Sequence, residues 1–158
     1  MTLPATPTPS FDVFLKYDAL TRLLFDYADA HPTLVSVDSI GKSHEGRDIW
    51  LVTVTNTVTG ADSDKPALWI DGNIHAAELT ASTACLYFLH QLATGADDPR
   101  IRHLLDTRVV YLCPRLNPDG AAPAGPASAP GRRSPPWGSS PLRWSSGRCS
   151  SCSASTAR

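Results

Sequence analysis

The sequence predicts an α/β fold, a mixed-sheet α/β/α sandwich, on the strength of hydrophobic periodicity and element order. Apolar residues recur at helical spacing over two long segments, alternate with polar residues over two short ones, and form unbroken runs in two more. In chain order these give helix, hairpin, strand, helix and strand, which calls for helices layered on a sheet of mixed direction. The 158 residues are enough for one such domain with a buried core.

The first ten residues are polar and Pro-rich and are expected to be a disordered lead. A first helix is expected over 17–30, where Leu20, Leu23, Leu24, Tyr27 and Ala28 fall at helical spacing and Pro32 closes the element. Residues 34–39 set Val35 and Val37 against Ser36 and Asp38, as a half-buried strand does. A turn with glycine at both ends, Gly41-Lys-Ser-His-Glu-Gly46, leads to a partner strand over 48–55, with Trp50, Val52 and Val54 on one face. These two strands are expected to form a hairpin.

After a polar loop, the run Ala67-Leu-Trp-Ile70 is expected to be a buried central strand. It ends in Asp71-Gly-Asn-Ile-His75, a turn into a helix over 77–94 that Gly95 stops. A shorter helix is expected over 99–105. Residues 108–114 read as a second buried strand, closed by Asn117-Pro-Asp-Gly120. Cys85 and Cys113 then fall in a helix and a strand, where small buried thiols are ordinary. Trp50, Trp69 and Tyr111 read as core or sheet-face packing.

The chain changes character after Gly120. Residues 1–120 hold all fifteen acidic side chains and nine of the fourteen basic ones, a net −6, whereas 121–158 hold five arginines and no Asp, Glu or Lys. That last stretch has ten Ser, seven Ala and six Pro, with one Leu and no Ile, Val, Phe or Tyr, too little apolar surface to offset chain entropy. Two readings stand: a disordered tail, or translation out of frame from GC-rich coding DNA. Cys149 and Cys152 form a Cys-x-x-Cys there, but no His follows His103, and one such pair does not make a structural zinc site.

The overall charge of −1 offers no general attraction for nucleic acid. No stretch is long and apolar enough for a membrane span, and no signal peptide is visible. A reduced, cytoplasmic protein without membrane or nucleic-acid partners is the expectation.

The chemistry concentrates in Gly72-Asn-Ile-His75-Ala-Ala-Glu78. A strand feeds a tight turn, and an imidazole and a carboxylate follow three residues apart as a helix begins. That spacing puts both on one side of the first turn, over the C-terminal edge of the sheet, where open α/β sheets place their sites. One His and one Glu are part of what a catalytic zinc takes, three protein ligands and a water. His44 and Glu45 read as solvent-facing turn residues, Arg47 as a pairing residue near the hairpin, and His31 as a helix-end histidine.

Three motifs in order carry a resemblance. Ser39-Ile-Gly-Lys-Ser-His-Glu-Gly-Arg-Asp-Ile-Trp50 resembles the hairpin of zinc carboxypeptidases of the carboxypeptidase A type. Lys65-Pro-Ala-Leu-Trp-Ile-Asp-Gly-Asn-Ile-His-Ala-Ala-Glu78 is similar to their strand into a His-x-x-Glu zinc motif, and Asn117-Pro-Asp-Gly120 to the turn after their next strand. The resemblance covers about residues 14–120 and implies the zinc carboxypeptidase fold, zinc as cofactor, peptide substrates and hydrolysis of a C-terminal peptide or related amide bond. It implies that His75 and Glu78 are the first two zinc ligands. Asp119 and Gly120 are expected to shape a turn beside the cleft.

The resemblance also implies parts that this sequence lacks. A third ligand should be a downstream histidine, the general base a downstream glutamate, and an arginine with an Asn-Arg pair should hold the substrate carboxylate. No His follows His103, no Glu follows Glu78 and no Asn follows Asn117. His90 is too far along its helix from Glu78, about 18 Å, to substitute. Arg132 and Arg133 lie in Pro/Ser surroundings that cannot position them. Ala77 stands where some family members carry arginine. The chain is therefore expected to be a truncated, inactive portion of such an enzyme, with no catalytic residue assigned. The alternative is a non-catalytic α/β binding module with a linker tail.

Overall fold

A computed structural model describes residues 2–121, so the expectations for the tail, for Arg132 and Arg133 and for Cys149 and Cys152 lie outside the described residues. The elements are α1 (Tyr17–Ala30), β1 (Val35–Lys42), β2 (Asp48–Val54), β3 (Ala67–Asp71), α2 (Leu79–Thr94), α3 (Pro99–Thr107) and β4 (Val109–Cys113). They build a four-stranded sheet in the order β1-β2-β4-β3. β1 with β2 and β2 with β4 are antiparallel, whereas β3 and β4 run parallel across the α2–α3 crossover.

The core explains the helices. Leu20, Leu24 and Tyr27 of α1 meet Leu86, Leu89 and Leu92 of α2 over Val52, Val54, Val110 and Leu112, all inside one buried cluster. Those four sheet residues share a face by strand alternation, so α1 and α2 cover that face together. The Tyr27 hydroxyl stands 2.7 Å from His90 Nδ1, bridging the two helices, and burial pushes its pKa up to about 12. α3 starts from a preset cap. Pro99 opens it without needing a partner for its nitrogen, and the Asp98 carboxylate accepts from Arg100 N–H at 2.8 Å.

α1 matches its expected limits, β1 runs on to Lys42 past an irregular register between Ser39 and Lys42, and α2 begins at Leu79, two residues later than expected. Cys85 and Cys113 are buried as expected, and burial pushes both thiols up to about 11. The polar lead has neither helix nor strand over residues 2–10. Thr6 Oγ1 nevertheless meets His31 Nε2 at 2.8 Å, and Phe11 packs edge-on against Tyr87 at 5.2 Å. No helix among the described residues is long and apolar enough to cross a membrane.

One expectation is overturned. Among the described residues the run from Ala67 to Ile70 is not a buried central strand: β3 lies at the edge of their sheet, with Leu68 51% and Trp69 49% exposed. The crossover carries the chain past β3 and lays β4 between β3 and β2. Pro66 O and Gly72 N–H point toward β4, at 3.1 Å from Val109 N and 3.0 Å from Cys113 O. Strand alternation therefore turns the backbone groups of Ala67, Trp69 and Asp71 outward, where no strand meets them among the described residues.

Candidate metal centre

The parallel strands β3 and β4 end side by side, and hydrogen bonding continues beyond both. Leu116 N–H donates to Gly72 O at 3.0 Å and Asn117 N–H to Asn73 O at 3.1 Å. The turn after β3 thus lies along the turn after β4. Gly72 is required by space: a Cβ there would meet the Ala81 carbonyl carbon at 2.9 Å and its oxygen at 3.0 Å, both backbone atoms of α2. Asn73 then takes a left-handed conformation with φ 55° and turns the chain toward α2.

That turn presents His75 and brings it to Glu78, the residue that caps α2. Glu78 N–H donates to His75 O at 3.1 Å, and His75 Nδ1 lies 3.0 Å from Glu78 Oε1. Both side chains face solvent, 78% and 56% exposed. Two ligands about 2.0–2.1 Å from a tetrahedral zinc lie about 3.3 Å from each other, so this hydrogen-bonded nitrogen and oxygen need to open by only about 0.3 Å to take the ion. One imidazole and one carboxylate also suit zinc chemically. The fit stops at two, since no group of three His, Cys, Asp or Glu side chains able to hold a metal is found among the described residues. His90 is tied to Tyr27, and His31 ends α1, its N–H donating to Tyr27 O at 2.9 Å.

Asp119 does more than shape its turn. Its Oδ1 accepts from Ser43 Oγ at 2.7 Å and from Arg47 Nη1 at 2.6 Å, and its Oδ2 from Glu45 N–H at 2.9 Å. Arg47 is shared with Glu45, also at 2.6 Å. The carboxylate therefore clasps the β1–β2 turn to the turn after β4, which in turn is laced to the His75 loop. All three sequence motifs converge through it.

Burial pushes the Asp119 pKa up, but the bonds from Glu45 N–H, Ser43 and Arg47 outweigh it and hold the carboxyl below its usual range. A carboxylate depressed on folding stabilises in full above its unfolded value of about 3.9, and that contribution is lost as pH falls through the depressed value. Asp119→Asn is therefore expected to melt below the wild type at pH 7, with the gap closing as pH falls below about 4. Thermal unfolding of both proteins across that range is the measurement; a gap that persists unchanged into acid would remove the charge from the explanation.

Two buried polar residues here had no advance assignment. Arg115, only 4% exposed, donates from Nη2 to Leu15 O at 2.9 Å, its Nε has no protein partner, and burial lowers its pKa. Asn73, 1% exposed, donates from Nδ2 to His75 O at 2.8 Å. Only the Gly72-Asn73 pair between strand and helix signalled it, since asparagine tolerates left-handed turns.

Comparison with known proteins identifies the family. A family model described as zinc carboxypeptidase matches residues 20–151. Carboxypeptidase A2 of Mus musculus is 41% identical over 112 residues, covering 70% of this chain and 26% of that protein. A zinc carboxypeptidase of Saccharothrix mutabilis subsp. capreolus is 36% identical over 91 residues, 57% of this chain and 21% of its own length. The crystal structure of carboxypeptidase A from Helicoverpa armigera superposes with a TM-score of 0.62 at 29% identity, over 70% of this chain and 26% of that one. The chain thus spans between a fifth and about a quarter of these relatives' length. With three motifs brought together at one sheet edge and a family match over most of its residues, the chain belongs to the zinc carboxypeptidase family.

Proposed function

We propose that this chain supplies the first two zinc ligands, His75 and Glu78, of a metallocarboxypeptidase that hydrolyses C-terminal peptide or related amide bonds. The 3.0 Å approach of His75 Nδ1 to Glu78 Oε1 at the shared end of β3 and β4 supports the reading. A bound zinc supplies Lewis acidity toward a peptide carbonyl and activates water for attack. The chain's own part is to hold and orient: His75 and Glu78 offer neighbouring donors, and their exposure leaves a peptide free to approach. Ala77 between them carries no charge, so any charge selectivity has to come from other residues.

By itself the sequence holds two of three protein ligands, with no Glu after Glu78 to act as a base. Absence of a general base alone costs about 10²–10⁴-fold in rate. Turnover therefore waits on groups supplied from elsewhere, and the chain alone binds zinc weakly.

Zinc titration calorimetry on the purified chain, His75→Ala and Glu78→Ala tests this. Outer-shell partners of a metal already cost about 10–100-fold when removed, so each alanine is expected to cost on the order of 100-fold in affinity. An N-acyl dipeptide with a free carboxylate should show no zinc-dependent turnover. Unchanged zinc binding in both variants would sink the ligand assignment, and turnover that depends on His75 would sink the claim of inactivity.

A further inference from the structure

We propose that Asn73 is a positioning residue for His75, an inference that rests on the zinc reading of His75. The His75 ring is 78% exposed, so packing does not fix it. Its place is set by its backbone and by Glu78, and the backbone of this loop is held by side-chain amides. Asn73 Nδ2 donates to His75 O at 2.8 Å and reaches Ala76 O at 3.4 Å. Asn117 Nδ2 donates to Ile74 O at 3.1 Å. Three consecutive carbonyls around the ligand are thus tied down by two asparagines.

Asn73 is the more constrained of the two. It holds a left-handed φ of 55°, its side-chain amide reaches the loop that follows, and its own carbonyl accepts from Asn117 N–H at 3.1 Å. The amide cannot be turned over, because Oδ1 would then face the His75 and Ala76 carbonyls. In the orientation it takes, Oδ1 is buried without a protein partner. A buried acceptor without a donor is a cost that an apolar side chain would avoid. The NH2 group is what compensates, and its contacts are with the carbonyls of the proposed ligand and its neighbour.

The competing explanation is that Asn73 serves only to permit a left-handed turn. Glycine enters that conformation more easily than asparagine, and it has no amide. Asn73→Gly therefore separates backbone from side chain. On the full chain, zinc affinity by calorimetry and the unfolding midpoint of the metal-free protein are measured for wild type, Asn73→Gly, Asn73→Asp and His75→Ala. The expected result for Asn73→Gly is a midpoint close to wild type and a zinc affinity about tenfold weaker. Asn73→Asp keeps shape and turn preference but cannot donate; it should weaken zinc similarly, and it decides the question should the glycine variant fail to fold. Wild-type affinity in Asn73→Gly, with binding lost in His75→Ala, would overturn the positioning role while leaving the zinc reading intact. Unchanged binding in His75→Ala would overturn both, since Asn73 would then have no ligand to position.

Discussion

Gly72→Val is expected to lower the unfolding free energy by about 1–3 kcal/mol, the usual range for overfilling a packed interior. The reason is local and steric. A Cβ at position 72 would sit 2.9 Å from the Ala81 carbonyl carbon and 3.2 Å from its Cβ. Backbone atoms inside a helix cannot rotate out of the way, so α2 as a whole must move off the end of β3. Glu78 caps that helix and His75 lies in the turn that feeds it, so the same shift opens the 3.0 Å approach between them. Loss of stability and loss of zinc affinity should therefore appear together in one variant, by chemical denaturation and by calorimetry. A destabilised protein with wild-type zinc affinity would mean that the loop moves independently of α2.

Leu89→Ala should cost still more, about 2–5 kcal/mol, the span seen for large-to-small changes in cores. Leu89 has no exposed surface and lies in the cluster shared by α1, α2 and the sheet. Truncation leaves a cavity inside that cluster, whose two helices are already held at a set spacing by the Tyr27–His90 bridge. Against a total of about 5–15 kcal/mol for a domain, the loss is a large fraction of the stability, and only its upper end set against the lowest total would unfold much of the population. Val58→Ala, at a residue 78% exposed, provides the contrast and should stay within about 0.5 kcal/mol of wild type. Equal losses in both variants would mean that the buried cluster does not dominate stability.

The sequence revealed those features whose causes are local. Leu20, Leu24 and Tyr27 repeat on one helical face and Pro32 forbids continuation, so α1 could be bounded to the residue. The His75–Glu78 pair was legible for the same reason: three residues across a helix start bring two side chains together whatever surrounds them. The position of β3 was not legible. Four apolar residues in a row read alike at the centre and at the edge of a sheet, and which one applies depends on where the later β4 inserts. Nor could the reach of Asp119 be read, because Ser43, Glu45 and Arg47 are more than seventy residues away in sequence. Arg115 lay in a loop between Pro114 and Asn117, a place where arginine ordinarily meets water; only the returning chain at Leu15 buries it.

The open flank of β3 also bears on how the chain is made. β3 ends at Asp71 and its partner β4 begins only at Val109. At a synthesis rate of 5–20 residues per second, the apolar run from Ala67 to Ile70 waits roughly 2–8 s for that partner, both flanks bare. When β4 arrives it closes one side, while Ala67, Trp69 and Asp71 keep their amides and carbonyls turned outward. Among the described residues, folding thus covers one flank of this short run and leaves the amides and carbonyls of the other without a strand partner, the kind of edge that a further strand can extend.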